Sequence, residues 1–127
     1  WAKGEYIDKN FSDIIKKYDL SKYVSLGGYP VRLMINTHLE NGKQNNVIAT
    51  LYQQEMFKNG ILCFSGVLML SMSHSRKDLD LLIKAFDKTC STINKAVKNR
   101  KNFRKYLTCK PMSPVFKGLR ERNAVSN

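Results

Sequence analysis

"GILCFSGVLMLSMSHSRKDLDLLIKAFDK", residues 60–88, holds the two signals that decide the fold. Its first half is a pair of short apolar runs, 61–64 and 67–73, that meet at Ser65-Gly66, which predicts a hairpin with a two-residue turn. Its second half changes period. Ser75 stands where a helix N-cap hydroxyl belongs, and Asp78, three residues on, completes a capping box. Leu79, Leu82, Ile83, Phe86, Cys90, Ile93 and Val97 then fall on one face, while Lys84, Lys88 and Lys95 point elsewhere. That is an amphipathic helix laid on a sheet.

Working upstream, Asn59-Gly60 supplies a helix stop, since glycine adopts the left-handed conformation freely. Before it, "VIATLYQQEMFK" (47–58) reads as a helix, with Asn45 and Asn46 both candidates for its N-cap at the end of a polar loop. The segment "KYVSLGGYPVRLMINTHL" (22–39) alternates on both sides of Gly27-Gly28-Tyr29-Pro30. Val24 and Leu26 precede that Gly/Pro connection, and Val31, Leu33 and Ile35 follow it, which predicts two strands with the turn at the glycines. From Glu5 to Tyr18, Ile7, Phe11, Ile14, Ile15 and Tyr18 recur at helical spacing, and Asp19 to Lys22 closes that helix. The predicted order is α-β-β-α-β-β-α plus a basic C-terminal tail. This is an α+β fold, with helices packed on a small, largely antiparallel sheet of about four strands. The whole chain, 1–127, reads as a single domain, with residues 97–127 a basic, partly helical tail.

At 127 residues and 43% hydrophobic content the chain can bury a real core. Its longest apolar stretch, 61–72, is broken by Ser65, Gly66 and Ser71 and is too short to span a bilayer. No basic leader with an apolar segment opens it, and secretion is not expected. Cys63, Cys90 and Cys109 are odd in number and lack the paired spacing of a zinc or redox motif. Cys63 and Cys90 read as small core residues, which implies a reducing, cytoplasmic setting. Residue 1 is Trp rather than Met, a start that processing, the chosen bounds of an expressed segment or excision of a domain would each give.

The net charge of +12 is unevenly placed. Residues 1–94 carry 12 basic and 9 acidic side chains, and residues 95–127 carry 10 basic ones against Glu121 alone. In the tail, Lys98, Arg100, Lys101, Arg104 and Lys105 interleave with Phe103 and Tyr106, a composition able to bind nucleic acid through phosphate contacts and stacking. The competing reading is an amphipathic C-terminal helix with Phe103 and Leu107 packed inward. It is preferred because no recognition motif accompanies the charge. A stand-alone basic module contacting nucleic acid or acidic partners is the alternative function.

Enzyme motifs for dinucleotides, phosphate loops, zinc proteases and serine hydrolases are absent. Asp78, Asp80 and Asp87 share the polar side of one helix, where a solvated face is the default. Two residues stand out as candidates for a ligand pocket. His74 ends a predicted strand beside a helix start, where it either serves the turn or cap, the commoner role, or lines a ligand pocket, the free N–H groups at 75–77 favouring an anion. Arg32 alternates with Val31 and Leu33 and so lies on the opposite face of its strand, where it is either solvated or held for a carboxylate or phosphate. His38 would approach His74 if the second and fourth predicted strands were neighbours, but two histidines alone make a poor metal site, and no metal is expected.

The ordered string adds a resemblance. Gly28-Tyr29-Pro30-Val31-Arg32, then Gln54-Glu55-Met56 through Gly60-Ile61-Leu62, then Ser71-Met72-Ser73-His74-Ser75 with Asp78-Leu79-Asp80, and finally "PVFKGLRERN" (114–123) resemble the C-terminal portion of class-III pyridoxal-phosphate-dependent aminotransferases. The glutamate-1-semialdehyde aminomutase-like branch is the nearest in pattern. "KNFSDIIKKYDL" (9–20) is similar to the family's helix leading into this region. The resemblance implies the small domain of a fold-type-I enzyme, with pyridoxal phosphate held mainly by an upstream large domain through a Schiff-base lysine. It also implies a homodimer and a small amino or keto substrate. No segment here matches that lysine's surroundings, so no catalytic or cofactor-binding residue is assigned within the chain. Many class-III members carry an arginine in the strand before the last long helix. The "VLMLSMSHS" of this chain (67–75) has none, which argues against a dicarboxylate-specific transaminase.

Overall fold

A computed structural model describes residues 1–42, 45–99 and 103–113. Helix α1 (Ala2–Lys17) is followed by strands β1 (Val24–Tyr29) and β2 (Arg32–Thr37), helix α2 (Asn46–Lys58), strand β3 (Val67–Met69) and helix α3 (Arg76–Lys98). A 3-10 turn, Phe103–Tyr106, comes after α3. The three strands form an antiparallel sheet in the order β1-β2-β3. Helices α1 and α2 lie against one face of it, and α3 packs across α1 and α2.

The apolar spacing explains the layers. Ile7, Phe11, Ile14 and Ile15 of α1 are buried, as are Leu79, Leu82, Phe86, Cys90, Ile93 and Val97 of α3. The two stripes meet at Phe11 and Phe86, whose rings stack with centroids 3.7 Å apart, and Tyr52 of α2 meets Phe86 edge-on at 6.3 Å. On β2 the alternation is strict: Leu33, Ile35 and Thr37 are buried under the helices, while Arg32, Met34 and Asn36 face out. The caps form as expected. Asn45 accepts from the amides of Val47 and Ile48, and Ser75 and Asp78 make the reciprocal capping box of α3.

Two expectations fail for identifiable reasons. The turn between β1 and β2 is Pro30-Val31, with Gly27 and Gly28 inside β1, paired with Met34 and Leu33. Gly28 has φ +82°, and a Cβ there would strike the Arg32 carbonyl oxygen, so this glycine serves a close crossing within the sheet rather than the turn. The expected fourth strand is also missing among the described residues. Ser65 and Gly66 both take positive φ and close a tight turn, but it carries only one bridge, Phe64 to Val67. Residues 61–63 are captured by α2 instead. The Ile61 amide donates to the Met56 carbonyl at 2.9 Å, and the Gln53 side chain donates to the Cys63 carbonyl at 3.2 Å. With those groups satisfied by a helix end, they are not presented to β3.

After α3 the chain returns along α2. Gln54 holds both sides of the return: its amide donates to the Tyr106 carbonyl at 2.9 Å, and its oxygen accepts from the Thr108 amide and hydroxyl at 2.8 and 2.9 Å. Phe103, Tyr106 and Leu107 pack against the core, so the inward packing expected there occurs, in a 3-10 turn rather than a longer helix. Arg100, Lys101 and the 114–123 stretch lie outside the described residues.

Candidate functional site

The two residues singled out from sequence are 42 positions apart, yet both line one cleft of about 680 Å³. The register explains it. In the antiparallel pairing of β2 with β3, Arg32 at the start of β2 stands opposite Met69 at the end of β3. The chain leaving β3 therefore carries His74 past Arg32. The same register sends His38 to the far end of β2, where its ring meets the Lys22 carbonyl at 2.8 Å and the Ser25 hydroxyl at 3.3 Å. The two histidines are not neighbours, and His38 stabilises the β1–β2 pair.

The cleft's far wall is the captured segment, with Leu62 and Phe64, and its floor includes Leu68, Leu79 and Leu82. Leu62 and Phe64 are more than four-fifths exposed, and Met69 and Met72 are exposed close by. Tyr29 and Met34 are exposed as well, on the outer sheet face.

His74 is fixed in place and tautomer. The Ser71 amide donates to its Nδ1 at 3.0 Å, so the ring proton of the neutral form sits on Nε2. The turn that holds it is pinned from α1: Lys3 Nζ donates to the carbonyls of Met72 and His74 at 2.7 and 2.6 Å. Sequence reasoning missed Lys3. These partners lie about 70 residues further along the chain, and no local pattern marks such a contact.

The start of α3 is less open to an anion than its sequence implied. The Ser75 amide and hydroxyl both donate to Asp78 Oδ2 at 2.7 Å, and the Asp78 amide donates to the Ser75 hydroxyl at 3.2 Å. The Ser75 hydroxyl and amide that donate to it, with the nearby Lys77 charge, hold the Asp78 carboxyl below its ordinary range. Asp80 and Asp87 are structural: Asp80 accepts from Tyr6 at 3.0 Å and pairs with Arg76, and Asp87 pairs with Lys17 at 2.8 Å. The Arg32 side chain makes no hydrogen bond or ion pair with any described residue.

Elsewhere, Cys63 and Cys90 are buried, and burial raises both thiols, so they behave as core residues. Among the described residues no group of His, Cys, Asp and Glu is placed to hold a metal ion, and no helix is long and apolar enough to cross a membrane. Among the described residues the cleft lining contains no lysine.

Comparison with known proteins places this architecture. The chain is similar in fold to an omega-transaminase from Sphaerobacter thermophilus, with a TM-score of 0.60 and 12% sequence identity over 71% of its length. It spans 22% of that chain, so the match is to a part of a much larger protein. No protein-family model and no curated protein sequence matches it.

Proposed function

We propose that this chain is the C-terminal small domain of a class-III pyridoxal-phosphate-dependent aminotransferase or aminomutase, from the glutamate-1-semialdehyde aminomutase-like branch. Its task is to close over the cofactor site and shape the substrate pocket with the face that bears Arg32 and His74. The likeness in fold to the omega-transaminase over 71% of the chain carries this reading. The motif order from Gly28 to Asp80 supports the branch. The cofactor, held by a lysine of an upstream large domain, supplies the electron sink for amino-group transfer. What this chain contributes is positional. Closure covers the apolar rim of Leu62, Phe64, Met69 and Met72 and excludes water, and Arg32 and His74 orient a small amino or keto substrate. The full enzyme would be a cytoplasmic homodimer.

The aromatic side chains that a nucleic-acid module would use for stacking, Phe103 and Tyr106, are packed against the core, which disfavours that alternative. The test is the native polypeptide, recovered from source cells with an antibody to this chain. A product several times heavier than 14.6 kDa that releases pyridoxal phosphate on denaturation is the expected result. A native product of 14.6 kDa refutes it. Transamination by the purified 127-residue chain with added cofactor would refute the purely positional role.

A further inference from the structure

We propose that the Arg32–His74 cleft takes a ligand with a single carboxylate on an apolar stem, held by the Arg32 guanidinium and the His74 Nε2–H. The proposal deepens the reading of this cleft as the substrate-facing side and rests on it.

Three observations converge. Among the described residues Arg32 is the only lysine or arginine on the cleft lining, and its side chain has no hydrogen-bond or ion-pair partner. A planar guanidinium fork matches a carboxylate in two-point geometry. His74 adds a second donor of known direction: with Nδ1 engaged by the Ser71 amide, Nε2–H is left for a ligand, and no described residue accepts from it. The Lys3 clamp holds this ring's backbone, so the donor is ordered before anything binds.

The rest of the lining decides the ligand's other end. Ile61, Leu62, Phe64, Leu70 and Leu82 offer only apolar surface, and the cleft's volume is that of a small-molecule site. Asp78, the lining's one acid, is turned onto the Ser75 amide and hydroxyl. A second carboxylate on the ligand would lie against apolar walls or near Asp78, with no cation to meet it. A phosphate meets fewer donors than an open helix start would give it, because the capping box occupies the Ser75 and Asp78 amides of α3.

The experiment is an amide and side-chain NMR titration of the full 127-residue chain with hexanoate, glutarate, hexylamine and inorganic phosphate. It is run on the wild type and on Arg32→Gln, an exposed position outside the core. The expected result is saturable hexanoate shifts at Arg32, His74 and the cleft residues, weakened at least tenfold in Arg32→Gln, with glutarate and phosphate binding more weakly. Equal binding of hexylamine, equal or tighter binding of glutarate or phosphate, or unchanged hexanoate binding in Arg32→Gln would overturn the carboxylate assignment while leaving a substrate-facing apolar cleft. No cleft shift with any probe would overturn the assignment and also count against the cleft as a substrate face.

Discussion

Gly4 lies in the first turn of α1, and on propensity alone replacing it by alanine should help. A helical glycine costs about 1 kcal/mol relative to alanine. The structure reverses that sign. Gly4 is buried against the β1–β2 turn, and a Cβ there would overlap the carbonyl carbon and oxygen of Pro30. Those are backbone atoms, so no rotamer change relieves the overlap, and α1 or the turn must move. Displacing α1 loosens Ile7 and Phe11, both fully buried and the latter stacked on Phe86. A radial gap of 0.5–1 Å forfeits roughly a quarter to a half of each dispersion contact. Overpacking of this kind costs about 1–3 kcal/mol, and loosening the stack places Gly4→Ala at or above the top of that range. Against the propensity gain of about 1 kcal/mol, the net effect is a destabilisation of about 2 kcal/mol. Urea unfolding of wild type and Gly4→Ala, followed by circular dichroism, measures it, with a fall in melting temperature on the order of 8 °C as a second readout. A variant as stable as wild type, or more stable by the propensity increment, would refute the close approach of α1 to the Pro30 turn.

Four further outcomes are expected. Asn45→Ala removes the acceptor for the Val47 and Ile48 amides and should cost about 1 kcal/mol in chemical denaturation, whereas Asn46→Ala, beyond the cap, should cost far less. Tyr52→Phe should be neutral or stabilising by up to about 1 kcal/mol, because among the described residues the buried hydroxyl has only the weakly hydrogen-bonding Cys63 thiol beside it, and burial already disfavours its ionised form. A clear loss of stability in that variant would show that the hydroxyl is satisfied. Because the folded Asp78 carboxyl is held below its ordinary range, its contribution is present above the unfolded carboxylate pKa of about 4 and is lost as the pH falls through the folded value. Asp78→Asn should therefore flatten the stability profile in that acid window, and an unchanged slope would contradict the capping-box account. Lys3→Met should broaden or shift the amide resonances of Ser71 to His74 while leaving those of α2 in place, since the lysine ties that turn to α1.

Much of the fold is written in short-range pattern. The capping box at Ser75 and Asp78, the Asn45 cap and the apolar stripes of α1 and α3 act over one to four residues, and each element they mark is present. The alternation that put Arg32 opposite Leu33 on the strand is equally local, and it holds. Tertiary structure decided what depended on a distant partner. Residues 61–64 have strand-like composition, but a strand exists only where another edge accepts its hydrogen bonds, and α2 took the Ile61 amide and the Cys63 carbonyl first. The turn moved from the glycines to Pro30-Val31 because Gly28 was needed for a close crossing with Arg32. The candidate site followed the same division. Its two polar residues could be named from sequence by strand face and helix start. Their convergence required the β2–β3 register, and the order of the His74 turn required Lys3, a contact that only a folded chain brings within reach.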